Sequence, residues 1–259
     1  MPFLSVVMPT YNRADLLPEV LASYFSQRET DFELILVDDS STDSTAAYAT
    51  TVRDQRFRYV QNTGQKGVGG ARDAGVRAAT GEIIVVADSD DPSYPTRLQC
   101  TAQHFRTHPG TDVFYTNFDL WYVDTGEIRP RFFQPFVREL LGIINFIPNA
   151  SSAYRRSVYL ERTAGYDPSL EIGEDYDLWL ALAEQGATFD YDRSQQVRVR
   201  MHSDSVRAQK QDRHRSFLHQ IRKKHGLPEL PSVERLRELA EPEVAAFFTS
   251  PEKYALWFT

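Results

Sequence analysis

Up to Asp91 the chain alternates strictly between short strands and stretches of helical spacing, and few architectures accommodate such an order. Phe3 to Met8, Glu33 to Val37, Arg56 to Gln61 and Glu82 to Val86 read as strands. Between the first two, Leu16-Leu17, Val20-Leu21 and Tyr24-Phe25 recur at helical spacing. An Ala-rich helix capped by the Asp38 to Asp43 oxygens and a helix from about Gly69 to Thr80 fill the later gaps. Strands joined by helices imply a parallel sheet with right-handed crossovers and helices on both faces. In such a sheet the carboxyl ends of the strands share one edge, where ligands bind.

The residues just beyond each strand are therefore informative. The fourth strand runs into Ala87-Asp88-Ser89-Asp90-Asp91-Pro92, three carboxylates in four positions. At an effective dielectric of about 20, a like-charge pair about 4 Å apart costs about 4 kcal/mol, which a bound cation would relieve. Hard oxygen ligands without a nearby thiolate suit Mg²⁺ or Mn²⁺, shared with the phosphates of a substrate. The same stretch also reads as a solvated acidic turn. After the first strand come Pro9, Thr10, Tyr11 and Asn12, and after the second Asp38 and Asp39. Tyr11 offers a flat face to a base, and a carboxylate at the second strand end can accept from a uracil imide or a ribose hydroxyl. The segment Gly67-Val68-Gly69-Gly70-Ala71-Arg72 lacks the spacing of a dinucleotide fingerprint and comes after the third strand. It reads as a loop of close backbone approach, with Arg72 facing either a phosphate or a carboxylate.

The second half has a different texture. Asp112 to Val123 reads as a long strand and Gln134 to Ile144 as a helix, with a short helix after Arg156. Gly173-Glu174-Asp175-Tyr176-Asp177 opens another helix, where the dipole favours acids, and one carboxylate there could take a proton from an attacking hydroxyl. Thr188 to Tyr191 and Gln196 to Met201 read as two short strands, the second ending at His202, which could complete a metal site. Gln211 to Lys224 reads as a basic helix and Ser232 to Thr259 as helical with aromatic ends, of a kind also used at subunit or membrane interfaces.

Composition narrows the function classes. The 259 residues suit one large α/β domain with an appendage, here 1–210 and 211–259. A net charge of -7 gives no positive field for nucleic acid. The single cysteine, Cys100, permits no internal disulfide and fits a reducing compartment, so a cytoplasmic protein is expected, peripheral at most at the inner face of the membrane. No leader or membrane span is read from the sequence.

Six segments then resemble glycosyltransferase family 2 in order and spacing: Val7-Met8-Pro9-Thr10-Tyr11-Asn12, Val37 to Asp43, Gly70-Ala71-Arg72, Asp88-Ser89-Asp90-Asp91, Gly173 to Leu178 and Arg200-Met201-His202. The resemblance covers residues 3 to about 206. It implies a GT-A fold, a nucleotide-sugar donor, a divalent metal (Mn²⁺ or Mg²⁺) and transfer with inversion to a saccharide or lipid-linked acceptor. By the same resemblance Pro9, Tyr11 and Asp39 hold the base, with Thr10, Asn12 and Ser89 beside the nucleotide and Arg72 near it. Asp88 contacts ribose or metal, Asp90 binds metal and His202 helps to hold metal or diphosphate. Asp175 is the base and Glu174 faces the acceptor. Asp73 departs from the asparagine usual after the arginine. UDP is the favoured nucleotide, from Tyr11 and Asp39. A nucleotidyltransferase and a catalytically silent nucleotide-sugar-binding protein remain alternatives.

Overall fold

Strand alternation decides the layering. In β1 (Leu4–Thr10), β2 (Phe32–Asp38) and β4 (Ile83–Val86) every residue is buried, so each strand must feed two hydrophobic layers. Leu4, Val6, Met8, Leu34, Leu36, Ile83 and Val85 pack in one layer, while Val7, Ile35, Val37, Ile84 and Val86 pack in the other. The first layer is completed by α1 (Leu17–Phe25) and α4 (Arg97–Thr107), through Leu17, Leu21, Tyr24, Leu98 and Phe105. α2 (Thr45–Ala49) adds Ala49 to it. The second layer receives Ala71 and Val76 of α3 (Val68–Ala78). That helix lies so close to the sheet that a Cβ on Gly75 would stand 2.4 Å from Val7 Cγ1.

This computed structural model describes residues 1–201 and 211–258. Its sheet is ordered β3-β2-β1-β4-β7-β5-β6, with β8 on the free side of β5. β3 (Phe57–Gln61), β2, β1 and β4 run parallel, as the alternation predicts. Beyond them the sheet becomes mixed: β7 (Ser152–Arg155) is antiparallel to both β4 and β5 (Val113–Tyr122). β6 (Glu127–Arg131) returns as a hairpin on β5, and β8 (Phe189–Met201) runs parallel to β5.

Three local readings of the second half are corrected. The two short strands after Thr188 are one strand, β8, because the turn-forming Asp192-Arg193-Ser194 segment is absorbed as an irregularity. Asp192 accepts from Ser194 N at 2.9 Å, and Asn117 Nδ2 donates to Arg193 O at 2.7 Å. The helix read over Gln134 to Ile144 shrinks to α5 (Arg138–Leu141), since Pro135 stands before it and Gly142 ends it. The helical tail is cut by prolines into α9 (Val233–Leu239), α10 (Pro242–Phe248) and α11 (Pro251–Trp257), which come after α8 (Gln211–Lys224). Its aromatic side chains Phe248, Trp257 and Phe258 are buried in the layer that also holds α7 (Glu174–Glu184) and α6 (Arg156–Arg162).

Candidate active site

The loop after β4 is held from below by a buried arginine. Arg97 Nη1 donates to Tyr24 Oη and to Ser93 Oγ, and Nη2 donates to the carbonyls of Val86 and Ala150. Arg200 of β8 holds it from the side: its backbone N–H donates to Asp91 Oδ1 at 2.7 Å and its Nε to Asp90 O at 2.9 Å. With Asp91 so engaged, Asp88 and Asp90 carry the exposed charge of the loop.

Asp88 meets Arg72. That guanidinium, 4% exposed on α3, donates to Asp88 Oδ1 at 2.7 Å and to Glu174 Oε1. It also donates at 3.2 and 2.9 Å to the Asn149 amide oxygen when that amide is turned to present it. Arg72 is thus a bolt between the parallel half, through Asp88, and the first turn of α7. Asp90 faces Arg13 Nε at 3.4 Å. Burial and the neighbouring Asp88 charge hold its carboxyl above the ordinary range, against the pull of Arg13. A hard carboxylate under like-charge pressure, with no thiolate near, fits a divalent cation shared with a diphosphate. Among the described residues no three His, Cys, Asp or Glu side chains form a ready-made metal cluster, and His202 lies outside the described residues.

The first turn of α7 divides its three acids. Gly173, at φ 82°, makes the left-handed turn into the helix, a conformation that favours glycine. Glu174 is occupied by Arg72, and burial pushes its carboxyl up to about 7 against that guanidinium. Asp177 accepts from Lys224 Nζ and pairs with His225 Nε2, both at 2.9 Å, which ties α7 to the end of α8. Asp175 accepts from Asn145 Nδ2 at 3.1 Å, and burial raises its pKa against the Arg72 charge. It lines a cleft of about 380 Å³ together with Arg72, Asp88, Asp91 and Glu174.

The strand ends read for the base lie beside β1 and β2. Tyr11 is 54% exposed, its ring open to a ligand. Asp39 accepts from Asn62 Nδ2 at 2.7 Å and from Gly67 N at 2.8 Å, and a carboxylate has further lone pairs to offer. Asn12 spends its amide on the next loop, its oxygen accepting from Thr42 N at 2.8 Å. Pro9, Thr10 and Ser89 are buried. Asp73 accepts from Tyr159 Oη at 2.8 Å and from Arg77 Nε at 2.7 Å, which binds α3 to α6. Asn145, Asn149 and Arg97 carry no signal in the sequence, because loop asparagines and surface-type arginines are common. Arg200 stood in a recognised segment without a role.

The model for "Glycosyl transferase family 2" matches residues 5–162. The succinoglycan biosynthesis protein ExoO of Rhizobium meliloti (strain 1021) is 30% identical over 192 residues, which is 68% of this chain and 54% of ExoO. The S. aureus TarS 1–349 structure in complex with UDP-GlcNAc superposes with a TM-score of 0.69 at 20% identity, over 85% of this chain and 65% of that one. The mannosyltransferase PcManGT from Pyrobaculum calidifontis, in complex with GDP-Man and Mn²⁺, gives 0.67 at 20% identity, over 98% of this chain and 72% of that one. At these identities the two structures show the fold, which is GT-A. This chain spans about half the length of ExoO and just under two thirds of the TarS chain.

Proposed function

Because the chain belongs to glycosyl transferase family 2, we propose that it moves a sugar from a nucleoside-diphosphate sugar, with UDP favoured, to an acceptor hydroxyl with inversion. The process served is polysaccharide or glycoconjugate synthesis. One observation carries the reading: of the three acids opening α7, Glu174 and Asp177 are bound to cations of the protein, while Asp175, also in the lining of the cleft, meets the Asn145 amide among the described residues.

A hydroxyl is a poor nucleophile at neutral pH, so Asp175 accepts its proton as the oxygen attacks the anomeric carbon. The new C–O bond forms opposite the bond to the diphosphate, which breaks with its electron pair on the diphosphate. A single displacement inverts the centre and requires no covalent intermediate. Mn²⁺ or Mg²⁺ on Asp90, joined by His202, would supply neutralisation of the diphosphate charge. Arg72 keeps Asp88 oriented at the sheet edge, and Tyr11 with Asp39 receives the base. Residues 1–210 form the transferase domain in this reading, and the helices of 211–259 wall its acceptor side. Among the described residues no helix is long and apolar enough to cross a membrane. The loop after β1 has no glycine to cradle a triphosphate, which disfavours a nucleotidyltransferase.

Calorimetry of UDP with Mn²⁺ and with chelator, on the wild type and Asp90→Asn, tests the donor side. Tight binding is expected only for the wild type with metal, and equal affinity in all four titrations overturns the metal assignment. If GDP or dTDP raises the melting temperature and UDP does not, the base assignment is wrong.

A further inference from the structure

Asp175 is held by a residue to which the proposed chemistry gives no role. Asn145 comes from the loop after α5 and lines the cleft, and its Nδ2 donates to Asp175 Oδ2 at 3.1 Å. That loop is itself fixed. Ile144 and Phe146, on either side of Asn145, are fully buried. Tyr176 Oη donates to Leu141 O at 2.8 Å and Arg222 Nη1 to Ile143 O at 3.0 Å, so α7 and α8 both grip the chain just before Asn145. Tyr176 is the neighbour of Asp175 on α7, and helix and loop are thus joined at two successive residues.

The orientation of the amide is informative. With Nδ2 turned to the carboxylate, Asn145 Oδ1 is buried and has no hydrogen-bond partner among the described residues. Buried polar atoms are ordinarily paired, so an orphan marks a place where another demand prevails. Here the opposite orientation would set a carbonyl oxygen against an ionised carboxylate, and two acceptors repel. The site leaves one oxygen unsatisfied and gives Asp175 a donor. Burial drives the Asp175 pKa up, and Arg72, the Tyr176 backbone and the Asn145 amide pull against it. Arg72 divides its donors between Asp88 and Glu174, whereas Asn145 Nδ2 is directed at Asp175. Glu174 and Tyr166 also act on Asp175, and Asp88, Asp91, Glu171, Arg131 of β6, His214 of α8 and Lys253 of α11 share the cleft lining with it. A substitution at Asn145 keeps all of these groups.

We propose that Asn145 is a positioning residue for the transfer: its amide fixes Oδ2 of Asp175 and keeps the buried carboxylate ionised, which leaves Oδ1 to accept the proton of the acceptor hydroxyl. That proton passes to Asp175 as the acceptor oxygen's electron pair forms the bond to the anomeric carbon, and the diphosphate leaves with the pair of the bond that breaks. Asn145 touches no reacting atom. The inference rests on the transferase reading for the source of the proton, while the link between Asn145 and the ionisation of Asp175 can be measured without it.

The test is an NMR titration of the aspartate carboxyl carbons in the whole chain, with the Asp175 signal assigned by its loss in Asp175→Asn. Wild type is compared with Asn145→Leu, close in shape and without a donor, and with Asn145→Ala, which demands less room should the first not fold. Losing a hydrogen bond to the charged form is expected to raise the Asp175 pKa by about one or more in either variant. The second readout is release of UDP from UDP-Glc or UDP-GlcNAc with Mn²⁺, water serving as acceptor. Its acidic limb should move to higher pH by the same amount and its kcat should fall tenfold or more, while the calorimetric Kd for UDP stays unchanged. A merely structural role would lower the melting temperature and leave the limb in place. An Asp175 titration that is unchanged in the folded variants overturns the proposal. If the titration moves and the limb of UDP release does not, Asn145 holds Asp175 but Asp175 is not the base, and the transferase assignment of that residue fails instead. Should neither nucleotide sugar release UDP, the NMR titration alone decides whether Asn145 keeps Asp175 ionised.

Discussion

In the parallel half of the sheet, Tyr11, Asp39 and Asp88 each stand one or two residues beyond the strand that carries them. In the mixed half, Asp175 comes from a helix start, Asn145 from a loop and Arg131 from a hairpin strand, with no shared offset. The first arrangement is local: the strand delivers the residue and a nearby loop holds it, as Gly67 N holds Asp39. The second depends on contacts between distant segments, such as Arg72 with Glu174 across 102 positions and His225 with Asp177 across 48. A strand-end site can thus be inherited with the sheet, whereas a site in the mixed half must be assembled. The two halves should therefore respond differently to substitution.

The largest effect is expected at the assembled side. Asp175→Asn should lower kcat by about 10² to 10⁴ while the calorimetric Kd for donor stays near wild type. Asn is close in shape, and the competing account, a helix-dipole role, allows at most about 1 kcal/mol of stability and an unchanged rate. A folded variant with wild-type kcat would pass the role to another acid. Because burial raises the Asp175 pKa, the acidic limb of kcat/KM should lie above the ordinary aspartate value of about 3.9, and activity should grow as pH rises through it. The limb should be absent from the residual activity of the Asn variant.

Next comes the bolt between the halves. Arg72→Met leaves Asp88 and Glu174 without their shared cation, and breaking a buried pair in this way costs about 3–5 kcal/mol. Urea denaturation should show a lower midpoint. If Glu174→Gln in the same background does not recover part of the loss, the halves are not coupled through this pair.

Within the parallel half, Gly75→Ala should cost about 1–3 kcal/mol by overpacking against Val7 and Val37. Thermal melts of this variant with and without UDP and Mn²⁺ would show whether the donor edge is as rigid as its packing implies. An unchanged melting temperature would mean that α3 can withdraw from the sheet freely.

The smallest effect is expected at the end of α8. Burial opposes charging His225, but Asp177 and Glu184 outweigh it and raise its pKa. The folded pKa then lies above the unfolded one. The stabilisation is complete below the unfolded value of about 6.5 and is lost as pH rises through the folded value. The stability gap between wild type and His225→Gln should therefore be wider at acid pH than at alkaline pH, and a gap that does not change with pH would remove the charged pair from the account.

The sequence by itself determined the parallel half. Its strands are buried on both faces, so their apolar runs, the helical spacing between them and the carboxylates beyond them are all encoded within a few positions. The same locality made the Asp38-Asp39 and Asp88 to Asp91 segments legible as candidate site elements, and the cluster opening α7 could be named as a whole. Only the tertiary structure decided which acid of that cluster is held by no cation among the described residues. Three carboxylates at one helix start are alike in sequence. Arg72 takes Glu174, Lys224 and His225 take Asp177, and among the described residues Asp175 meets the Asn145 amide. The bulge that keeps β8 whole and the hold of Arg97 on the loop after β4 were likewise invisible. Each depends on what another segment brings within about 3 Å of a polar atom, a distance set by packing rather than by neighbours in the chain.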